Sequence, residues 1–452
     1  MLRLTLQGCE TTHKEVIKRA RGELQITTTP GIPDVAPVTF NAYLLPNPTT
    51  VIVPVQWVKN AFPCLTLEDT RPVPLTTNFK FVGALKSDLN QPEAAEAVLT
   101  ALKKHGACIL SLNVGMGKTC VALNIAASLQ AKTLVVVHKT FLADQWVQRA
   151  MQFTPAAKVT RIQGQLCDLS GDIVVATIQT LVKKDPALFG EFKLVISDEC
   201  HHIAAPMFSK AMFKLHCKYV LGLSATPTRK DGLQKVLHYF LGPIAYQVQP
   251  LQNTQQRTAT VTLFSYTCDA YLLHAPTTRF GTLDHTKVLN CIAENSQRTS
   301  DIVHLIQNII PKNRHVLVLS HRRAHCEAIA AAIPEASTYL GGDKKIPSSR
   351  ILVSTYNLVS EGFDEARLNA LVLATPASDV EQTVGRVLRN NEAKDPALIY
   401  DIIDAWGPCY AQSAKRKRVY AKYGFFVGVA KPLHVKSEKT MASSPFMFVH
   451  DV

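Results

Sequence analysis

No run of this chain stays apolar for the roughly 18 residues that a membrane-spanning helix requires, so no membrane partner is expected. The N-terminus, MLRLTLQGCETTHKEVIKRARGE, becomes charged too early for a secretory signal peptide. The 11 cysteines are scattered and no two stand at CxxC spacing, so neither a disulfide framework nor a cysteine-based zinc site is expected. Charged residues reach only 19% against 47% hydrophobic ones, a balance that excludes a disordered chain. No short-period repeat is present. From these absences a soluble, intracellular protein is expected, cytoplasmic or nuclear.

What is present points to a polyanion. Lys and Arg number 49 against 35 Asp and Glu, a formal net charge of +14. A surplus of that size favours nucleic acid as a partner, with a merely basic protein as the alternative. A length of 452 residues suits two or three domains.

The rhythm of the chain divides it. Residues 1–80 alternate short apolar or β-branched stretches (43–45, 50–55) with Pro30, Pro33, Pro37, Pro46 and Pro48, and read as a small β-rich module of unassigned role. From about residue 90 the pattern becomes strand, loop, helix. Apolar runs at 108–112, 133–137, 173–176, 194–196 and 219–223, with a helical stretch at 119–129, predict a buried parallel sheet. Residues 258–266 alternate like an edge strand. A second α/β series follows, with strands at 315–319, 351–353 and 370–373 and a helix at 324–333. The expected domains are 1–80, 81–250, 251–410 and a basic tail at 411–452. That tail carries Lys415-Arg416-Lys417-Arg418, which reads as a DNA-backbone contact, a nuclear-import signal or a solvated helix face.

The strongest chemical signal is Asn113-Val114-Gly115-Met116-Gly117-Lys118-Thr119, set between a strand and a helix. Glycines let backbone N–H groups wrap a phosphate, and the helix N-terminus adds its dipole. Lys118 then reaches the β- and γ-phosphates, and Thr119 offers a hydroxyl to Mg²⁺. Leu112 stands where a P-loop commonly has its first glycine. Eighty residues on, an apolar strand ends in Asp198-Glu199-Cys200-His201-His202. The first acid suits Mg²⁺, and the second suits polarising the water that attacks the γ-phosphate. His201 and His202 lack suitably spaced partners for zinc.

DECHH resembles the DExH box of superfamily 2 helicases, and the family's other motifs follow in order. Residues 133–139 through Gln145-Trp146 resemble motif Ia, with Lys139 in it, and Thr177-Ile178-Gln179-Thr180 resembles the next nucleic-acid-contacting motif. Ser224-Ala225-Thr226 matches the coupling motif. Residues 316–322 resemble motif IV, with Ser320 and Arg322. Ser354-Thr355 through Gly362 and Asp364 resembles motif V, and Gln382 through Arg386 and Arg389 resembles motif VI, with Thr383 where relatives often carry Arg.

The resemblance covers residues 85–425. It implies two tandem RecA-like P-loop domains with parallel sheets, ATP and Mg²⁺ as cofactors, and Arg389 as arginine finger. It also implies Arg386 close to the phosphates, Gln382 near the attacking water, and Gly362 and Asp364 at the nucleotide. Gln91 is the candidate adenine reader, an ordinary helix-start glutamine being the alternative. Residues 222–242 look most like the XPB and UvsW kind of DNA helicase. The tail and residues 341–345 look like the group of large DNA viruses that includes the poxvirus-type transcript-release helicase. That placement implies DNA as partner, 3′→5′ movement, contact with transcription machinery or a role in recombination and repair, and a virion or viral-factory location. An RNA helicase, the motor subunit of a restriction-type nuclease and an ATP-bound scaffold are the competing readings.

Overall fold

Five apolar runs of four to six residues line up side by side because each is buried on both faces. In the computed structural model these runs form the centre of an eight-stranded sheet. Its order is Leu166–Cys167, Val159–Gln163, Ile173–Thr177, Thr133–Val137, Leu194–Ser197, Tyr219–Ser224, Ala107–Ser111, Ile244–Gln247. Every pair is parallel except the edge strand Leu166–Cys167. The structure describes residues 2–27, 39–113, 115–200, 205–225, 233–248, 259–268, 276–278, 283–341, 346–360, 365, 367–378, 380, 383–384 and 396–433. The chain divides into two units, Met1–Gln252 and Asn253–Val452.

Alternation along each strand sorts the first unit's core into two layers. Cys108 and Leu110 face the helices Gln91–His105, Lys118–Ser128 and Thr140–Phe153, whereas Ala107 and Ile109 face Ala205–Met212 and Gln234–Leu241. The second layer also contains Leu2, Val16, Val53 and Trp57, so the N-terminal residues share a core with the large sheet. Their own sheet has the order Leu44–Asn47, Thr50–Val53, Gly8–Thr11, Leu2–Thr5, Leu67–Asp69. Two helices, Lys14–Glu23 and Val55–Ala61, accompany these strands. Polar seams tie the layers together. Gln56 Nε2 and Lys59 Nζ both donate to the His105 carbonyl at 3.0 Å, and His216 N–H donates to the Leu6 carbonyl at 2.9 Å.

The second unit is built on a parallel sheet of order Ala336–Tyr339, Ile351–Thr355, Val316–Ser320, Ala370–Leu373, Ala397–Asp404, Ala259–Tyr266, Phe426–Val427, with Lys431–Pro432 also on Ala259–Tyr266. Ala259–Tyr266 is therefore not at the edge that its alternation suggests. Two short strands from the C-terminal part of the chain cover its outer side. The helix Gly407–Lys422 turns Cys409, Ser413, Arg416 and Tyr420 inward at helical spacing. The expected basic tail thus begins as a packed helix, and Arg416 of the KRKR run lies in the core while Lys415, Lys417 and Arg418 are exposed. No described helix is long and apolar enough to cross a membrane.

Candidate nucleotide and nucleic-acid site

In a parallel sheet, ligands gather at the carboxyl ends of the strands. Five neighbouring strands of the first unit end, in spatial order, at Thr177, Val137, Ser197, Ser224 and Ser111. The described residues singled out from the sequence in this unit sit at or just beyond those ends, or on helices packed beside them.

The loop after Ser111 is shaped by its glycines. Gly115 and Gly117 have φ of +86° and +77°, and a Cβ on Gly117 would come within 2.4 Å of Gln91 Nε2. The backbone conformation therefore favours glycine at 117, and any side chain there would also displace the Gln91 amide. Leu112 is buried in place of the missing glycine, and its N–H donates to the Ser224 carbonyl at 3.2 Å, tying the loop to the Ser224-Ala225 motif. Lys118 and Thr119 open the helix Lys118–Ser128. Gln91 is buried at the same loop. Its Nε2 donates to the Met116 carbonyl at 3.0 Å and its Oε1 accepts from Lys86 N–H at 2.9 Å.

Lys118 Nζ lies 3.5 Å from Glu199 Oε1 and 3.3 Å from the Leu112 carbonyl. Glu199 adopts φ of +43°, a left-handed conformation costly for a residue with a side chain and typical of functional sites. Asp198 is buried beside it. Burial, and then the charge of Glu199, push its carboxyl up to about 6, while hydrogen bonding to Trp146 and the charge of Lys118 pull the other way. A buried acid held above its usual range by a neighbouring acid is a good site for a divalent cation, which would relieve both.

The remaining motifs occupy adjoining positions. Lys139 caps the helix Thr140–Phe153 and is half-buried, its ammonium lowered by burial. Thr177 and Thr180 hydroxyls meet at 2.9 Å, and Gln179 Nε2 donates to the His138 carbonyl at 2.9 Å, joining two adjacent strand ends. Ser224 and Ala225 are buried. In the second unit Ser320 is fully buried, with Oγ 3.0 Å from His325 Nδ1, and Arg322 Nε donates to Asn290 at 2.6 Å. Both side chains are thus engaged inside that unit. Thr355 ends the strand Ile351–Thr355 and is half-buried. Val114, Thr226, Gly362, Asp364, Gln382, Arg386 and Arg389 lie outside the described residues.

Residues 85–229 match the family described as "Type III restriction enzyme, res subunit". Two viral proteins are similar over more of the chain. "Putative ATP-dependent RNA helicase L396" of Acanthamoeba polyphaga mimivirus is 28% identical over 360 residues, 75% of this chain and 68% of that protein. "Putative ATP-dependent RNA helicase QP509L" of African swine fever virus (isolate Tick/Malawi/Lil 20-1/1983) is 27% identical over 365 residues, 72% of this chain and 70% of that protein. Together these likenesses support a superfamily 2 helicase. The solved structure of a point variant of S. cerevisiae Dbp5 bound to RNA and ADP BeF3 shares the fold, with a TM-score of 0.53 and 10% identity, covering 75% of this chain and 89% of that one. The likeness is to helicases of large DNA viruses, and a helicase family implies ATP use and nucleic-acid binding.

One contact at this site is not legible in the sequence, although Gln145-Trp146 falls in the stretch that resembles motif Ia. Trp146, fully buried in the helix Thr140–Phe153, donates its indole Nε1–H to Asp198 Oδ2 at 2.7 Å. The Glu199 N–H donates to Asp198 Oδ1 at 3.0 Å, so the carboxylate is oriented from both sides. These donors favour the charged form, which is the form a cation needs. ATPase activity is expected to fall as pH drops through about 6 and Asp198 takes up a proton. Trp146→Phe removes one donor, raises the carboxyl further, and moves the acid limb of the ATPase pH profile upward by about 1 pH unit. An acid limb that stays in place would show that Trp146 only fills space.

Proposed function

We propose that this protein is an ATP-driven motor that moves along or unwinds DNA, with Lys118, Asp198 and Glu199 as its hydrolytic centre. The observation that carries the reading is the meeting of Lys118 and Glu199 at 3.5 Å beside the buried Asp198, at the end of a glycine-bent loop. Lys118 exchanges Glu199 for the β- and γ-phosphates when nucleotide binds, and the N–H groups of the loop 113–119 bind the phosphate oxygens. Thr119 and Asp198 hold Mg²⁺, which when bound neutralises phosphate charge. Glu199, released from Lys118, orients the attacking water and accepts its proton. Gln91 keeps one amide N–H and one carbonyl lone pair beyond its two present bonds, a donor–acceptor pair that suits the edge of adenine. The family resemblance assigns Arg389 and Arg386 to the γ-phosphate, Gln382 to the water, and Gly362 and Asp364 to the nucleotide.

Lys139, Thr177, Gln179 and Thr180 form the nucleic-acid grip of the first unit, and their strand-end placement supports a sequence-independent contact with phosphates. Ser224, Ala225 and Thr226 couple that grip to the phosphate loop. DNA is favoured by the likeness of residues 222–242 to the XPB and UvsW kind and fits the net charge of +14. RNA is the second reading, favoured by the names of the two viral relatives.

Steady-state ATPase of the purified protein, measured without polymer and with single-stranded DNA, duplex DNA or RNA, tests this directly. Severalfold stimulation by DNA beyond that by RNA is the expected result. Stimulation by RNA alone would replace the first reading with the second, and no turnover under any condition would overturn the motor.

A further inference from the structure

The four residues after the strand Ala370–Leu373, namely Ala374-Thr375-Pro376-Ala377, are all buried, and they lead along the chain to Gln382, Arg386 and Arg389. Four residues far apart in sequence hold this short segment. Arg298, on the helix Ser296–His304, donates Nη1 to the Ala374 carbonyl at 2.6 Å. Tyr356 donates its hydroxyl to the Thr375 carbonyl at 2.7 Å. His321 N–H donates to Thr375 Oγ1 at 3.0 Å, and its ring lies 4.5 Å from that of Tyr356. Arg416, on the helix Gly407–Lys422, donates Nη1 to the Ala377 carbonyl at 2.6 Å.

The two arginines are fixed in turn. Arg298 makes a forked contact with Asp404 at 2.7 and 3.0 Å, and Arg416 makes one with Asp401 at 2.9 and 2.8 Å, while the Tyr420 hydroxyl also donates to Asp401 at 2.9 Å. Both aspartates sit on the strand Ala397–Asp404, three residues apart and hence on opposite faces of the sheet. The segment is therefore gripped from both faces at once. Neither buried ion pair is needed to fill space, because apolar groups of similar volume commonly do that as well or better. What a guanidinium adds is a rigid fork with a donor to spare, and here both spare donors go to carbonyls of the same four residues.

We propose that Arg298, His321, Tyr356 and Arg416 are positioning residues for ATP hydrolysis, holding residues 374–377 as a fixed base for the arginine-bearing segment that follows. The inference rests on the proposed function, since it assigns these residues to that same reaction. It also joins motif IV, through His321, and motif V, through Tyr356, to Thr375 in the segment that precedes motif VI in the chain. Arg416 then has a role that its place in a basic run does not suggest.

The test is a double-mutant cycle read in kcat. Arg416→Lys keeps the charge for Asp401 but loses the fork and the Ala377 contact, and Tyr356→Phe removes only one hydroxyl. Each is made alone and together with Arg389→Ala, with circular dichroism and Tm checked for every protein. Each single variant is expected to lower nucleic-acid-stimulated kcat, about tenfold for Arg416→Lys, with the KM for ATP within about twofold of wild type. Neither lowers kcat further once Arg389→Ala is present. Unchanged kcat in a folded variant, or losses that multiply with that of Arg389→Ala, would overturn the inference, and if Arg416→Lys does not fold then Tyr356→Phe decides. Wild-type protein no more active than Lys118→Ala under every condition would instead overturn the motor itself.

Discussion

Lys118→Ala is expected to lower stimulated ATPase by at least about 10²-fold while leaving the fold intact. The side chain touches the Leu112 carbonyl and Glu199, and Lys118 itself belongs to neither core layer. Its loss therefore costs little packing. It removes the lysine of the phosphate loop, and it leaves Asp198 and Glu199 side by side without the charge that partly offsets them. Nucleotide affinity and turnover should fall together, because a phosphate clamp acts in the ground state as well as in the transition state. Isothermal titration with ATP and steady-state turnover, beside a Tm within a few degrees of wild type, check all three points. Turnover within tenfold of wild type would remove Lys118 from the site.

The elements of this protein were readable in sequence in proportion to how simply each is buried. The run 133–137, TLVVV, is buried at every position between two helical layers, and an uninterrupted apolar run is what such a strand looks like. The run 258–266 misleads because its threonines alternate as at an edge, yet the short strands Phe426–Val427 and Lys431–Pro432 cover it from 160 or more positions away, and no local pattern records that. Gln91 illustrates the limit at the site. A glutamine opening a helix looks the same whether it faces water or the Met116 carbonyl, and only the tertiary contact tells them apart.

Arg416 is the clearest case of a misleading local signal. Within KRKR it resembles its neighbours, and a run of charge is usually a solvated face. Two clues were nonetheless present. Cys409, Ser413, Arg416 and Tyr420 fall on one helical stripe, and the strand ALIYDIID carries two aspartates in an otherwise apolar run. A charge inside a buried strand demands a partner. Pairing Asp401 with an arginine on the next helix follows from the two clues together, and from neither alone. Trp146 falls in the stretch that resembles motif Ia, but its donor role is not legible there, since an indole on the apolar stripe of a helix is ordinarily core and its acceptor lies 52 positions later.

Glu199→Gln should separate what Lys118→Ala merges. The change preserves shape and removes a charge, so the left-handed backbone at this position, with φ of +43°, faces no new steric demand. Without a carboxylate, water activation is lost, and turnover falls by about 10²–10⁴-fold. ATP binding moves the other way. In the present structure Lys118 is shared with Glu199 at 3.5 Å, both side chains being largely enclosed, with exposures of 11% and 20%. A phosphate must displace that partner, and a pair of this kind is worth about 1 kcal/mol, or roughly fivefold in affinity. A neutral amide competes less for the lysine than a carboxylate does, so ATP binds to the variant as tightly as to wild type or up to about fivefold more tightly. Equilibrium binding of a fluorescent ATP analogue and single-turnover hydrolysis measure the two effects separately. Binding and turnover lost together would make Glu199 a structural partner of Lys118 rather than the base, whereas near-normal turnover would move the base elsewhere. Tighter binding with slow chemistry is the signature of a carboxylate that competes for the phosphate lysine before the reaction and activates water during it.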